Sequence, residues 1–404
     1  MSSFRVERVD IILNVHGYAQ VVMNHVPYNL EEYLRAELEP FVQASDQGPP
    51  LDNVVAEIDF VAEADLPDRK TSNIILGPSL SADTRNSGTS AGLFWFVDKY
   101  GAATCLDLGQ SSGERWFLMA SRNVIPSNFT EYVLRGWILR THLLSQGVSF
   151  VHASAVAYQD HGILFPGWGG TGKTNLVFKL LAQGAMYMGD DLVLLSDQGQ
   201  VLAYPERVNI FDYNIQNLPN LKKAVSYKSR FLFGAKHLAE TFYDKVGSHL
   251  STDSGARAFL KRLTDLAYPL VATPISVTRL FPWASTAMQA PLTHVFHLFR
   301  SSGQSTSASG KVEVEEIESI EAMTTRMAAC LRYEHAYCDP IYDAFLFAFP
   351  EYHRHSLVDN FFEVQCSIFA EACRQARCWY VGVPAQSSAG DLCDIVISLL
   401  GDSP

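Results

Sequence analysis

One run of residues narrows the possibilities more than any other: Gly167-Trp-Gly-Gly-Thr-Gly-Lys-Thr174 satisfies G-x-x-x-x-G-K-[ST] at every fixed position. Glycines there let the backbone adopt positive φ and bring its N–H groups against an oxyanion with no side chain intervening. Lys173 is spaced to reach the β- and γ-phosphates of a nucleotide, and the Thr174 hydroxyl to ligate Mg²⁺. Such a loop must join a strand to a helix whose N-terminal dipole favours anions. Both are predicted. Gly162–Phe165 is an apolar strand entering the loop, and Leu176, Val177, Leu180 and Leu181 form a helical stripe that Gly184 ends. That context separates the run from a Gly-rich turn matching by chance. It assigns Gly167, Trp168, Gly169, Gly170, Thr171, Gly172, Lys173, Thr174 and Asn175 to a nucleotide.

Beyond the helix comes Met186-Tyr-Met-Gly-Asp-Asp191, then the apolar Leu192–Leu195. A strand of about five residues there returns the chain to the phosphates. Asp190 and Asp191 are then expected at the phosphate edge, beside the strand that feeds the loop. An acid at that place holds Mg²⁺ together with Thr174, and a second acid accepts the proton of an attacking hydroxyl. The residues do not say which aspartate does which. A solvated turn is the competing reading of an Asp-Asp pair, and the loop upstream weighs against it. His152 lies in the apolar run Val151-His-Ala-Ser-Ala-Val156. A lone histidine on such a strand is more often a core residue than a catalytic one.

Taken together, Val151-His-Ala-Ser-Ala-Val, Gly162 to Thr174, Gln183-Gly-Ala and Gly189-Asp-Asp-Leu-Val-Leu-Leu resemble the catalytic core of HPr kinase-related proteins. Those proteins share their nucleotide site with phosphoenolpyruvate carboxykinases. The resemblance covers about residues 150 to 196. It implies a mixed-sheet α/β core, with His152, Lys173, Asp190 and Asp191 catalytic, Thr174, Asp190 and Asp191 on the metal, and ATP and Mg²⁺ as cofactors. It further implies transfer of the γ-phosphate to a hydroxyl, often a serine. The glycine- and arginine-containing segment that HPr kinase uses downstream has no match here, nor do the carboxykinase substrate and manganese residues.

The rest of the chain bounds this reading. The 404 residues allow two or three domains, and 48% hydrophobic with 18% charged residues is a globular composition. A formal charge of −12 argues against general attraction to nucleic acid or anionic membrane. Apolar stretches fall short of the roughly 20 residues of a spanning helix. The start of the chain has no leader pattern, and seven cysteines without Cys-x-x-Cys read as reduced, buried thiols of a cytoplasmic protein.

Residues 1–146 read as a β-rich N-terminal domain suited to recognising a substrate or capping the core. Its strands are Arg5–Val15, Val54–Val61, Gly92–Val97 and Trp116–Ala120, followed by a helix over Phe129–Gln146. Residues 147–404 form the catalytic domain. They open with strand Phe150–Tyr158, make a hairpin through Ser196–Gln200, and end with helix Val358–Arg377, strand Cys378–Val383 and helix Asp391–Leu400. Ser301–Gly310 reads as a loop.

Arg207, Arg257, Arg262 and Arg279 are candidates by position only for the cation such a site needs, and each reads first as a solvated or ion-paired surface residue. His353, His355, Cys366, Cys373 and Cys378 match no zinc spacing, and the thiols read as core. Trp168 stands where small residues are usual; stacking on a ligand and packing on the N-terminal unit are both open. The expected function is thus an ATP-dependent kinase acting on a hydroxyl of a peptide, protein or small metabolite. The alternatives are a nucleotide-binding regulatory module and a plain NTPase. ATP against GTP, and monomer against homo-oligomer, stay open.

Overall fold

The computed structural model describes residues 9–44, 53–69, 72, 74–75, 80–86, 91–97, 101–108, 110–111, 115–227, 272–300, 312–350, 360–384 and 387–401. The expected loop Ser301–Gly310, the histidines His353 and His355, and Arg257 and Arg262 lie outside the described residues. The chain is mixed α/β with mixed sheets.

The first sheet has nine strands: β1 (Val9–Val15), β2 (Ala19–Val26), β3 (Val42–Ala44), β4 (Val54–Val61), β5 (Ile74–Ile75), β6 (Leu80–Asn86), β7 (Ala91–Val97), β8 (Ala103–Asp107) and β9 (Trp116–Ser121). Their order is β3-β1-β2-β4-β9-β8-β7-β6-β5. In β4, buried Ala56, Ile58 and Phe60 alternate with half-buried Glu57, Asp59 and Val61. That period of two puts one face of the sheet on the core. Helix α1 (Tyr28–Leu38) buries Leu30, Leu34 and Leu38 against the same core.

A long helix, α2, follows as Pro126–Asn128, Phe129–Leu139 and Arg140–Ser145. Its central segment is wound as a π-helix, a form concentrated at functional sites. Gly136 is required there: a Cβ would stand 2.7 Å from Cys338 Sγ and 2.9 Å from the Glu131 carbonyl. Trp137 packs on Tyr342 and Phe345, with ring centroids 5.2 and 4.8 Å away.

The second sheet is built on β10 (Val148–Tyr158), nearly all of whose residues are buried. The near-continuous apolar run reflects cover on both faces. Its other members are β11 (His161–Pro166), β12 (Met186–Gly189), β13 (Leu192–Ser196), β14 (Gln200–Leu202), β17 (Gln289–Arg300), β18 (Glu313–Glu316) and β19 (Arg377–Val383). The short strands β15 (Val208–Ile210) and β16 (Thr273–Ile275) pair separately. Strands β10-β13-β14-β17-β11 close into a ring, because β11 pairs with both β10 and β17. β11, β17 and β19 run parallel, so their C-terminal ends emerge together.

The helices here are α3 (Lys173–Ala182), α4 (Asp212–Asn217), α5 (Ile320–Glu334), α6 (Asp339–Ala348), α7 (Phe361–Cys373) and α8 (Ala389–Gly401). α3 and α8 bury Leu176, Leu180, Val396 and Leu400 in one cluster. A larger cluster runs from the first sheet through α2 into β10, β13 and α7. Among the described residues no helix is long and apolar enough to cross a membrane. All seven cysteines are free, and all but the half-buried Cys366 are buried, as expected of core thiols.

Candidate functional site

Two turns of chain converge at one point along β10. On one edge, β10 pairs with β13 through His152 and with β12 from Ala155 onward. Asp190 and Asp191 fill the gap between those two partners, and the Ala153 N–H donates to the Asp191 carbonyl at 3.2 Å. On the other edge, β11 ends at Pro166 opposite Ala153, so the glycine-rich loop leaves at the same level. His152 and Ser154, two apart on a strand, face the same side. The strand leading to the acidic pair therefore lies beside β10 and not, as expected, beside β11. β11 instead has β17 as its second neighbour, a pairing fixed by a strand far along the chain.

The loop's shape rests on its glycines. Gly167 sits at φ 152° with a Cβ position only 2.3 Å from the Leu298 carbonyl, where no side chain fits. Gly170 and Gly172 have φ 76° and 96°. Gly172 is also the residue before α3, and no side chain caps that helix. Its first N–H groups are thus left for a ligand, as anion sites at helix starts require. The Thr171 hydroxyl donates to the Trp168 carbonyl at 2.9 Å, and Arg300, at the end of β17, donates to the Gly170 carbonyl at 2.8 Å.

Lys173 is buried, with its ammonium inside the loop. It donates to the Gly167 and Trp168 carbonyls at 2.5 and 3.0 Å and lies 3.2 Å from His152 Nε2. An ammonium has only donors, so Nε2 accepts. Burial, reinforced by the Lys173 charge, pushes the His152 imidazole down to about 3 and keeps it neutral. Burial also lowers Lys173, while Asp191, Asp190 and Glu334 hold its charge in place.

Asp190 takes a hydroxyl on each carboxylate oxygen: Ser154 on Oδ1 and Thr174 on Oδ2, the latter at 2.8 Å. Burial and then the neighbouring Asp191 push its carboxyl up to about 6, against the two hydroxyls and Lys173, which favour the anion. Asp191 is different. It adopts φ 69°, is exposed, and turns the chain from β12 into β13.

These residues line a cleft of about 690 Å³. Its floor carries His152, the loop from Gly169 to Asn175, Asp190 and Asp191. Gly167 and Trp168 do not line it. The Gly167 carbonyl serves Lys173, and Trp168 packs edge-on against Tyr333 of α5, with centroids 4.7 Å apart. Trp168 thus meets the second half of the chain, not the N-terminal unit. Of the positional arginines, Arg207 is ion-paired with Glu37, and neither it nor Arg279 lines the cleft. The arginines that do are Arg300 and Arg135 of α2, the latter paired with Glu206.

Other residues of the site, Ser154 beneath Asp190 and several that line the cleft, were not singled out by the sequence. Ser154 carried a signal, its spacing of two from His152. Glu131, Glu334 and His335 carried none, because they reach the cleft only through the packing of α2 and α5. Phe211 and Tyr213 stack at 5.4 Å and 9° on another wall, near Asn214, which donates to Asn175 at 2.9 Å. Among the described residues no group of three or more His, Cys, Asp and Glu forms a ready cation cage. The oxygens of Asp190, Asp191 and Thr174 are nonetheless a hard donor set, and Mg²⁺ needs few protein oxygens when phosphates and water complete its shell.

Compared with known proteins, the chain matches no family model and no curated protein.

Proposed function

We propose that this chain is an ATP-dependent phosphotransferase acting on a hydroxyl, with a P-loop core of the HPr kinase and phosphoenolpyruvate carboxykinase type. The observation that carries the reading is the Thr174–Asp190 hydrogen bond at the uncapped start of α3, with Lys173 beside it. Backbone N–H groups, an ammonium, a hydroxyl and two carboxylates meet where a Mg²⁺-nucleotide needs them.

In this reading the loop N–H groups and Lys173 bind the β- and γ-phosphates, with Lys173 exchanging its carbonyl partners for phosphate oxygens. Thr174 and Asp190 would hold Mg²⁺, which when bound would neutralise charge on the transferred group. Exposed Asp191 accepts the acceptor's proton as its oxygen bonds the γ-phosphorus and the bond to ADP breaks. His152, neutral, positions Lys173. Arg300 and Arg135 are placed to meet developing charge, and the Phe211–Tyr213 pair offers a flat face to the base.

The test compares wild type with Lys173→Ala and Asp191→Asn, measuring nucleotide affinity by calorimetry and following labelled γ-phosphate into acceptor fractions. Lys173→Ala should weaken binding by roughly 100-fold, since charge-assisted hydrogen bonds contribute about 1.5–3 kcal/mol each. Asp191→Asn should bind normally yet transfer roughly 10² to 10⁴ times more slowly, the range for a lost general base. Steady phosphate release without acceptor would make water the acceptor. Tight binding with neither release nor transfer would sink the kinase reading in favour of a regulatory one.

A further inference from the structure

The phosphate cleft shares a wall with a second cavity, and that wall suggests what the acceptor is. The second chamber measures about 380 Å³ and lies between the first sheet, α2 and the start of α6. Its lining is mainly apolar, including Phe96, Ala102, Phe129, Val133 and Ile341, with Thr104 and Asn128 among its few polar groups. α2 separates the two spaces: Glu131 and Arg135 face the phosphate cleft, while Phe129, Tyr132 and Val133 face the chamber. Tyr337 borders both. It meets Tyr132 edge-on, with centroids 4.9 Å apart, so a pair of tyrosines stands at the boundary.

We propose that this chamber holds the apolar body of the phosphate acceptor, a compact small-molecule alcohol with an aromatic or branched aliphatic group. The inference rests on the phosphotransfer reading. The volume is at the lower end for small-molecule pockets, and apolar walls with few polar groups fit such a ligand. A hydroxyl on a short arm from that body passes Tyr337 and enters the cleft that contains Asp191. Its oxygen bonds the γ-phosphorus, its proton passes to the Asp191 carboxylate, and ADP leaves. The N-terminal sheet thereby gains a role, since Phe96 and Thr104, with Ala102 just before β8, are its contribution to selecting the acceptor.

Ligand-observed NMR on the full chain, with 2-phenylethanol as probe and glycerol as control, tests this. Wild type should bind 2-phenylethanol at least tenfold more tightly than glycerol. Ala102→Phe, which fills the chamber, should lose at least tenfold in affinity for it, and Ala102→Leu should fall between. Calorimetry with Mg·ATP on the same samples checks that the variants are folded, because neither touches the nucleotide cleft. Equal binding by Ala102→Phe, no preference over glycerol, or no binding at all would overturn the proposal. So would tenfold tighter binding of N-acetyl-Phe-Ser-amide, which would make the acceptor a peptide. A wild type that binds 2-phenylethanol but not Mg·ATP would leave the chamber standing and remove the kinase reading.

Discussion

Ser154 and Thr174 reach Asp190 from two different elements, so one buried carboxylate ties β10 to the start of α3. Removing either hydroxyl leaves a buried acceptor short of a donor. Ser154→Ala should therefore cost about 1–3 kcal/mol, the usual penalty for an unsatisfied buried polar group. Urea unfolding without nucleotide measures that cost, and calorimetry should show weaker Mg·ATP binding as well. Gly167 fails for a steric reason. With a Cβ 2.3 Å from the Leu298 carbonyl, Gly167→Ala must push the loop off β17. Both thermal stability and nucleotide affinity should fall. An alanine variant that binds ATP like wild type would show that the loop's approach to Leu298 is not needed.

At the scale of elements, α2 is the piece on which two cavities depend. Its π-wound segment presents Glu131 and Arg135 to one side and Phe129 and Val133 to the other. The buried Tyr342 hydroxyl holds that winding by donating to the Gly136 carbonyl. Tyr342→Phe should cost about 1 kcal/mol for the lost hydrogen bond. Gly136→Val should cost more, roughly 1–3 kcal/mol of overpacking, because Cys338 Sγ and the Glu131 carbonyl already fill the space. Denaturant midpoints rank the two. If Gly136→Val were the milder, the close approach of α2 to Cys338 would carry no energetic weight.

Across the whole molecule the buried imidazoles set the response to acid. Burial pushes His152 down to about 3, His294 and His297 to about 4, and His335 well below its ordinary value. In the unfolded chain they titrate near 6.5, so below that pH the unfolded state binds more protons. Their contribution is full above about pH 6.5 and is lost as pH falls toward 4. Asp190, raised to about 6, Glu206, raised to about 7, and Glu334, also raised, act the opposite way, but the four rings and His16, likewise lowered by burial, outnumber them. The melting temperature should therefore drop between pH 7 and pH 5, and His297→Asn should flatten that slope. A melting temperature that rises over the same interval would contradict the burial of these rings. Some of this organisation was legible in residue order alone. The glycine-rich run, the helix stripe after it, the hairpin at Ser196–Gln200 and the strands over Val54–Val61 and Cys378–Val383 are local patterns, set by side-chain periodicity and turn chemistry within short spans. The same locality brought Lys173, Thr174 and the aspartates into one expected site. Other features depend on residues tens to more than a hundred positions apart. The ring closed by β11 and β17, the placement of Arg300 beside Gly170, the pairing of β12 with β10, and the chamber between α2 and the first sheet all arise from long-range strand pairing and core packing. No periodicity encodes which distant strand becomes a neighbour, because that choice is made by the burial available to the whole chain. The sequence determined a glycine-rich loop between strand and helix and the acids beside it, whereas only the tertiary structure decided which arginines and which apolar walls surround them.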